Sequence, residues 1–446
     1  MPRHRHYQHQ SFTASVNAHI DNLAHDGRGV AHIDGKTIFI MGGLPGEMVK
    51  FRYISTQPRF AEGIVTEVVD PAPDRVPPRC PHFGMCGGCS MQHLTQSAQL
   101  AWKQAVVLEQ LQHFGQVQPA TLTPPLYGTP WGYRRKARLG ARYVPKKGGV
   151  LIGFREQLSH RLADLQRCDV LHPSVGERIL ALREIVTQLT VSQHVPQIEI
   201  AVGDTQTACV LRHLLPLSTH DRQQLCAFAD AHNLQFYLQP QGTNSVTALY
   251  PADLPLASLT YCLPTESVCI QFTPLDFVQI NSEVNRQMVP QALAWLDLQP
   301  EDNVLDLFCG LGNFTLPIAR RVAQVTGVDS DAQLLLRAQT NAQQQVIDNT
   351  HYYLADLAAT QLQPAWMQIP YDKLLLDPPR AGALEIIRAL PFTKIQRIVY
   401  VSCNPATLAR DAGELVHRQG FQLTQLGIMD MFTHTAHIET MALFER

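Results

Sequence analysis

Between residues 303 and 403 four short apolar runs each stop at a residue with chemistry to offer. Asn303-Val-Leu-Asp306-Leu runs into Phe308-Cys309-Gly310-Leu-Gly312-Asn313. The next run ends at Gly327-Val-Asp329, the third, Lys373-Leu-Leu-Leu, at Asp377-Pro-Pro-Arg380, and the fourth, Ile398-Val-Tyr-Val-Ser402, at Cys403-Asn404-Pro405. Such runs read as strands buried on both faces of a parallel sheet, and this spacing predicts a doubly wound α/β domain. In that fold the C-terminal ends of the strands line one crevice, so the four ends should converge there. The glycines of 310–312 let a ligand approach the backbone at a helix N-terminus, and a carboxylate at Asp329 suits the two hydroxyls of a ribose.

Pro405 suits the first turn of a helix, which puts Cys403 at a strand-to-helix corner. Helix N–H groups nearby would lower its pKa and favour the thiolate. On this stretch alone a buried structural cysteine is the favoured reading. Cys309 reads as a packed core thiol, because the glycine turn already gives that position to ligand approach.

A length of 446 residues suggests two to four domains. No apolar stretch reaches the roughly 18 residues of a membrane span, and the His- and Arg-bearing N-terminus lacks a signal-peptide core, so a cytoplasmic protein without a membrane partner is expected. Ten cysteines in such a chain point to metal or catalysis rather than to a disulfide framework. Residues 12–69 alternate β-rich runs with Gly-bearing turns, which predicts a small β-barrel. A stiff linker, Asp70-Pro-Ala-Pro, leads to Cys80-Pro-His-Phe-Gly-Met-Cys86-Gly-Gly-Cys89. Thiolates at this spacing hold either zinc or a four-iron cluster, and spacing does not separate the two. A helix is expected around 97–114. Residues 131–147 carry Arg134, Arg135, Lys136, Arg138, Arg142, Lys146 and Lys147 among aromatics without one acidic residue. With a formal net charge of −2 for the whole chain, this is the best candidate for phosphate contact. Residues 170–265 read as scaffold.

The stretch 303–314, with Asp377-Pro-Pro-Arg380 and Ser402-Cys403-Asn404-Pro405, resembles the S-adenosylmethionine-dependent RNA uracil-5-methyltransferases. The cysteines extend the resemblance to the ribosomal branch, which acts on 23S rRNA. The resemblance implies three parts: an N-terminal OB-like TRAM β-barrel at 12–69, a central α+β domain with an iron–sulfur cluster at 70–265, and a C-terminal Rossmann-like methyltransferase domain at 266–446. It implies Cys80, Cys86, Cys89 and the distant Cys168 as ligands of a [4Fe-4S] cluster. It implies Gln279, Phe308, Asn313, Asp329, Asp356 and Asp377 as contacts for S-adenosyl-L-methionine, Asp377 lying between cofactor and base. Cys403 would be the nucleophile, and Glu439, in His437-Ile-Glu439-Thr, the base. RNA rather than DNA, presented as a flipped or single-stranded uridine, is the implied partner of a monomer. A uracil-5-methyltransferase acting on tRNA or another rRNA position and a non-catalytic iron–sulfur RNA-binding protein are the alternatives; Cys403 and Glu439 together speak against the second.

Overall fold

A computed structural model describes residues 15–359 and 364–446, so positions 12–14 of the expected barrel lie outside the described residues. The chain forms two compact units. One runs to Trp102 and includes His434–Ala436, and the other comprises Lys103–Thr433 and His437–Arg446.

In the first unit, β1 (Val16–His19), β2 (Asn22–Leu23), β3 (Gly29–Ile33), β4 (Lys36–Met41), β5 (Met48–Thr56) and β6 (Phe60–Asp70) make one six-stranded sheet, ordered β1-β5-β6-β4-β3-β2. Burial alternates along β4, and Ile38 and Ile40 meet Val49, Phe51 and Ala61 in a core. Register shifts at three places in β5 bend it around that core. Gly63 is needed here, since a Cβ would stand 2.4 Å from the Phe51 ring. The proline-rich stretch after β6 is fastened to the same unit. Buried Glu47 accepts from Arg75 Nε at 2.5 Å, from Arg75 Nη2 at 2.8 Å and from the N–H groups of Leu44 and Ala72. Removing either partner of such a buried pair costs about 3–5 kcal/mol.

The unit boundary falls inside α1 (Gln96–Gln110). The second unit contains β7 (Thr121–Leu122) and a mixed sheet of β8 (Lys136–Val144), β9 (Gly149–Gly153), β10 (Gln197–Val202), β11 (Thr207–Arg212), β12 (Gln235–Gln239) and β13 (Thr247–Tyr250). The helices α2 (Pro173–Gly176), α3 (Ile179–Gln188) and α4 (Thr219–His232) belong to this region, α4 connecting the parallel pair β11 and β12. Next come the hairpin β14 (Leu259–Leu263) and β15 (Val268–Phe272), bridged by a Cys262–Cys269 disulfide.

The rest is an α/β layer: α5 (Ser282–Leu296), β16 (Asn303–Leu307), α6 (Thr315–Ala319), β17 (Gln324–Asp329), α7 (Ala332–Gln344), β18 (Thr350–Leu354), β19 (Lys373–Leu376), α8 (Leu384–Ala389), β20 (Arg397–Ser402), α9 (Pro405–His417), β21 (Gln422–Met429) and β22 (Glu439–Glu445). Its sheet is ordered β18-β17-β16-β19-β20-β22-β21-β7. Strands β16 to β20 run parallel, and the apolar runs of β16, β17, β19 and β20 are buried, as a sheet covered on both faces requires, while the edge strand β18 is partly exposed. Strand order reverses between β16 and β19, which opens a crevice at their C-terminal ends. Antiparallel β22 slots in beside β20 with Ser402 opposite Thr440. One step beyond that pair, the two strands present Cys403 and Glu439.

Candidate active site

The glycine turn is built from unusual backbone. Phe308 has φ 65° and Gly312 φ 88°, while the N–H groups of Phe308 and Cys309 both donate to Val328 O, at 2.8 and 3.2 Å. This closes β16 against β17 and points the turn at Asp329. The Asp329 carboxylate accepts Gly310 N–H and Asp331 N–H, each at 2.9 Å, and holds the turn open. Asn313 is locked by a reciprocal amide pair with Asn285 of α5, at 2.9 and 3.0 Å, and by Tyr261 OH at 3.0 Å. Phe308, Asn313 and Asp329 are half-buried, as is Gln279 in the loop before α5. Asp356, exposed after β18, caps its own turn by accepting Ala358 N–H at 3.0 Å. Beneath the turn, Asp306 is fully buried, accepts Thr315 Oγ1 at 2.5 Å, and is pushed up to about 8 by burial and then by Asp377 and Asp329. Cys309 is sealed in the core, and burial holds its thiol far above the ordinary range.

At the nucleophile corner Pro405 occupies the first turn of α9 as expected, and Asn404 caps the helix by accepting Ala406 N–H at 3.1 Å. The expected lowering of the thiol pKa does not occur. Burial, Glu439 and Asp377 raise Cys403 to about 11, outweighing Arg380 and the backbone N–H. The helix corner supplies a partial charge, whereas two carboxylates supply whole ones. Those carboxylates are themselves displaced: burial raises Asp377 to about 7, and burial with Asp377 raises Glu439 to about 8. Two like-charged groups that share a low-dielectric corner hold on to protons in this way.

Further charged side chains, without a role in the motif pattern, stand around this corner. Arg380 Nη2 lies 2.7 and 3.1 Å from the two ring nitrogens of His437, two residues before Glu439. Lys103, 1% exposed, pairs with Asp430 at 2.7 Å just upstream of β22, and its charge bears on both Glu439 and His437. Arg380 and His437 both lie in quoted motifs; only the spatial pairing was missing.

The basic segment turns out to spend most of its charge internally. Arg135 pairs with Asp204 at 3.0 Å and Arg138 with Glu199 at 3.0 Å, Lys147 meets Asp164, Lys136 Nζ donates to Pro274 O, and Arg134 lies over the Phe154 ring. Arg142 and Lys146 stay exposed.

Cys80, Cys86 and Cys89 lie in the first unit and Cys168 in the second. Cys86 is buried, its N–H donates to His82 O at 2.9 Å, and Gly88 N–H points at its Sγ at 3.4 Å. Cys168 N–H donates to Gly176 O at 2.9 Å. Among the described residues no group of three or more His, Cys, Asp or Glu side chains is arranged to hold a metal ion.

Comparison with known proteins agrees with this geometry. Residues 265–446 match the tRNA (Uracil-5-)-methyltransferase family and residues 14–66 match the TRAM domain. The 23S rRNA (uracil(1939)-C(5))-methyltransferase RlmD of Methylococcus capsulatus is 50% identical, with 97% of each chain covered. That of Nitrosococcus oceani is 52% identical, with 96% of each covered. The chain belongs to the RlmD methyltransferase family. Among solved structures, the tRNA (uracil-54, C5)-methyltransferase of Pyrococcus abyssi, in complex with S-adenosyl-L-homocysteine, matches with a TM-score of 0.72 at 23% identity. The match covers 96% of this chain and 99% of that one, a likeness of fold. RlmD relatives thus align with this chain across both the TRAM match and the methyltransferase match.

Proposed function

We propose that the chain methylates carbon 5 of a uridine in 23S rRNA, the substrate for which its relatives are named, using S-adenosyl-L-methionine, with Cys403 as nucleophile and Glu439 as base. The observation that carries this reading is a half-buried thiol and a carboxyl raised to about 8 at the ends of two paired strands, beside the crevice of the glycine turn. Carbon 5 of uracil is a poor nucleophile, so it must first be activated. The Cys403 thiol gives its proton to solvent, and Sγ bonds to carbon 6. The π pair moves to give an enolate, whose carbon 5 takes the methyl group. Glu439 then accepts the carbon-5 proton as the carbon–sulfur bond breaks, which restores the ring and frees the thiolate. The ionised fraction of a carboxyl near 8 is a stronger base than an ordinary carboxylate, which suits it to take the carbon-5 proton.

Bound S-adenosyl-L-methionine supplies an activated methyl group. Gln279, Phe308, Asn313, Asp329 and Asp356 would hold it, with Asp377 between it and the base; this set follows the family resemblance and the turn geometry described above. The reading takes a single chain acting on RNA and not DNA, in the cytoplasm; no helix among the described residues is long and apolar enough to cross a membrane. Tritiated-methyl transfer to fractionated RNAs tests it, 23S rRNA being the expected acceptor and tRNA the outcome that would replace it. Cys403→Ala should lower transfer by on the order of 10⁴-fold or more while cofactor affinity by calorimetry stays within about twofold. Retained turnover would remove Cys403 from the mechanism.

The reading extends to a [4Fe-4S] cluster on Cys80, Cys86, Cys89 and Cys168. Four thiols form the right donor set, and the Gly88 N–H directed at Cys86 Sγ is the kind of contact that stabilises a bound thiolate. When bound, the cluster would act as a structural tie. Protein purified without oxygen should be brown, and Cys86→Ser should lose both colour and RNA binding. A colourless protein with one equivalent of zinc would overturn the assignment.

A further inference from the structure

The corner that must generate a thiolate faces two carboxylates, and both work against it. Glu439 on β22 and Asp377 at the end of β19 raise the Cys403 thiol. On the opposing side stands Arg380. Lys103 of α1 and Arg134 bear on His437, and Lys103 also on Glu439. Arg380 alone is felt by Cys403, Glu439 and His437 together.

The Arg380 loop and the nucleophile share one support. Its backbone oxygen accepts from Asn404 Nδ2 at 3.0 Å and Thr407 Oγ1 at 3.3 Å, both in the segment that follows Cys403. Arg410 Nη2 donates to Ala381 O at 2.9 Å, and Ala383 N–H donates to Asp411 Oδ2 at 2.6 Å. Gly382 has φ 80°, and a Cβ there would meet Arg410 Nη2 and Asp411 Oδ2 at 2.6 Å, so the loop admits no side chain at that point. The guanidinium itself is exposed and hydrogen-bonds to an imidazole rather than to a carboxylate. That ring is uncharged at neutral pH, because burial, Arg380, Lys103 and Arg134 push His437 down to about 4. The charge of Arg380 is therefore not cancelled by its partner, and an arginine resting on a neutral ring gives up little when it turns to an anion.

Resting on the function proposed above, we propose that Arg380 is a further catalytic residue, which stabilises the Cys403 thiolate and then, leaving His437, donates to the uracil ring oxygen that gains negative charge as sulfur bonds to carbon 6. The step balances without another reactant. The thiol proton goes to solvent, the sulfur pair forms the S–C6 bond, and the displaced π pair comes to rest on the ring oxygen facing the guanidinium. A planar fork of donors fixed at the site of developing charge is the arrangement that lowers such a barrier. His437 would serve as the resting seat of the arginine.

The test begins with the thiol alone, without RNA or cofactor. The pH profile of Cys403 alkylation by iodoacetamide, read by peptide mass spectrometry, should move up by about one unit in Arg380→Gln, a roughly tenfold loss of labelling rate at neutral pH. Arg380→Lys should recover part of that loss, since it keeps charge but not the fork. The second arm measures covalent RNA adduct in a Glu439→Gln background, where Arg380→Gln should slow formation by about a hundredfold. Matching thermal melts of the variants exclude misfolding. An unmoved alkylation profile, or an adduct rate equal to that of the parent, overturns the proposal. Absence of adduct even with Arg380 intact would instead strike at the methyltransferase reading, and the alkylation arm would still decide whether Arg380 governs the thiol.

Discussion

Two corners of one sheet each carry a cysteine where a strand hands over to a helix, and they do opposite things. At the end of β16 the chain turns through left-handed Phe308 and two positive-φ glycines into a helix of five residues, and Cys309 points into the core. At the end of β20 it turns through Asn404 and Pro405 into a helix of thirteen residues, and Cys403 remains half-buried. Glycines withdraw side chains so that a ligand can reach backbone N–H groups. A capped, proline-started helix fixes the corner and presents a side chain instead. In the proposed reading one corner receives the cofactor and the other attacks the base.

The comparison breaks most sharply at Glu439. Glu439→Gln keeps size and much of the hydrogen bonding but cannot accept the carbon-5 proton, so turnover should fall by about 10²–10⁴-fold. In the proposed mechanism thiol addition and methyl transfer precede proton removal and do not require the Glu439 carboxylate. Methylated RNA should therefore accumulate on Cys403 as a denaturation-resistant band, absent from the Cys403→Ala, Glu439→Gln double variant. Parental turnover without adduct would pass the role to Asp377, the other carboxyl at this corner.

Asp329→Ala probes the receiving corner. It removes the ties to Gly310 and Asp331 that hold the turn and, in the proposed reading, charge-assisted ribose bonds worth about 1.5–3 kcal/mol each. Cofactor affinity by calorimetry should drop by about 10–150-fold while thiol alkylation at Cys403 is unchanged. Unaltered affinity would mean that the pocket lies elsewhere.

The backbone plan of both corners was legible in the sequence, because local rules decide it: apolar runs of strand length, glycines in one turn and Pro405 after the other. The charge state was not. The helix corner reads as acidifying Cys403, but burial raises its pKa and Glu439 and Asp377 add to the rise; Glu439 arrives only when β22 inserts beside β20, and Asp377 stands at the end of the neighbouring β19. Distance in sequence likewise hid the partners of the basic segment, since Glu199 on the adjacent β10 and Asp204 just past its end neutralise Arg138 and Arg135. A run of positive charge reads as a nucleic-acid surface until its counter-charges are located. Asn313 repeats the lesson: the family resemblance implies it as a cofactor contact, while its orientation is set by Asn285 and Tyr261.

The smallest expected effect is also the cleanest control on the difference between the corners. Cys309 Sγ packs in the core, and a Cβ on Gly327 would stand only 3.0 Å from it, so the thiol fills a gap left by a glycine on the neighbouring strand. Cys309→Ala opens a cavity of about one sulfur atom, for which the cost is about 1 kcal/mol in chemical denaturation. Burial keeps this thiol protonated, so iodoacetamide should leave it unmodified in the native protein at a pH where Cys403 reacts. Turnover should stay within about threefold, since no step of the chemistry passes through a packed, neutral thiol. A collapse of turnover in Cys309→Ala with cofactor affinity intact would show that the receiving corner supplies more than shape.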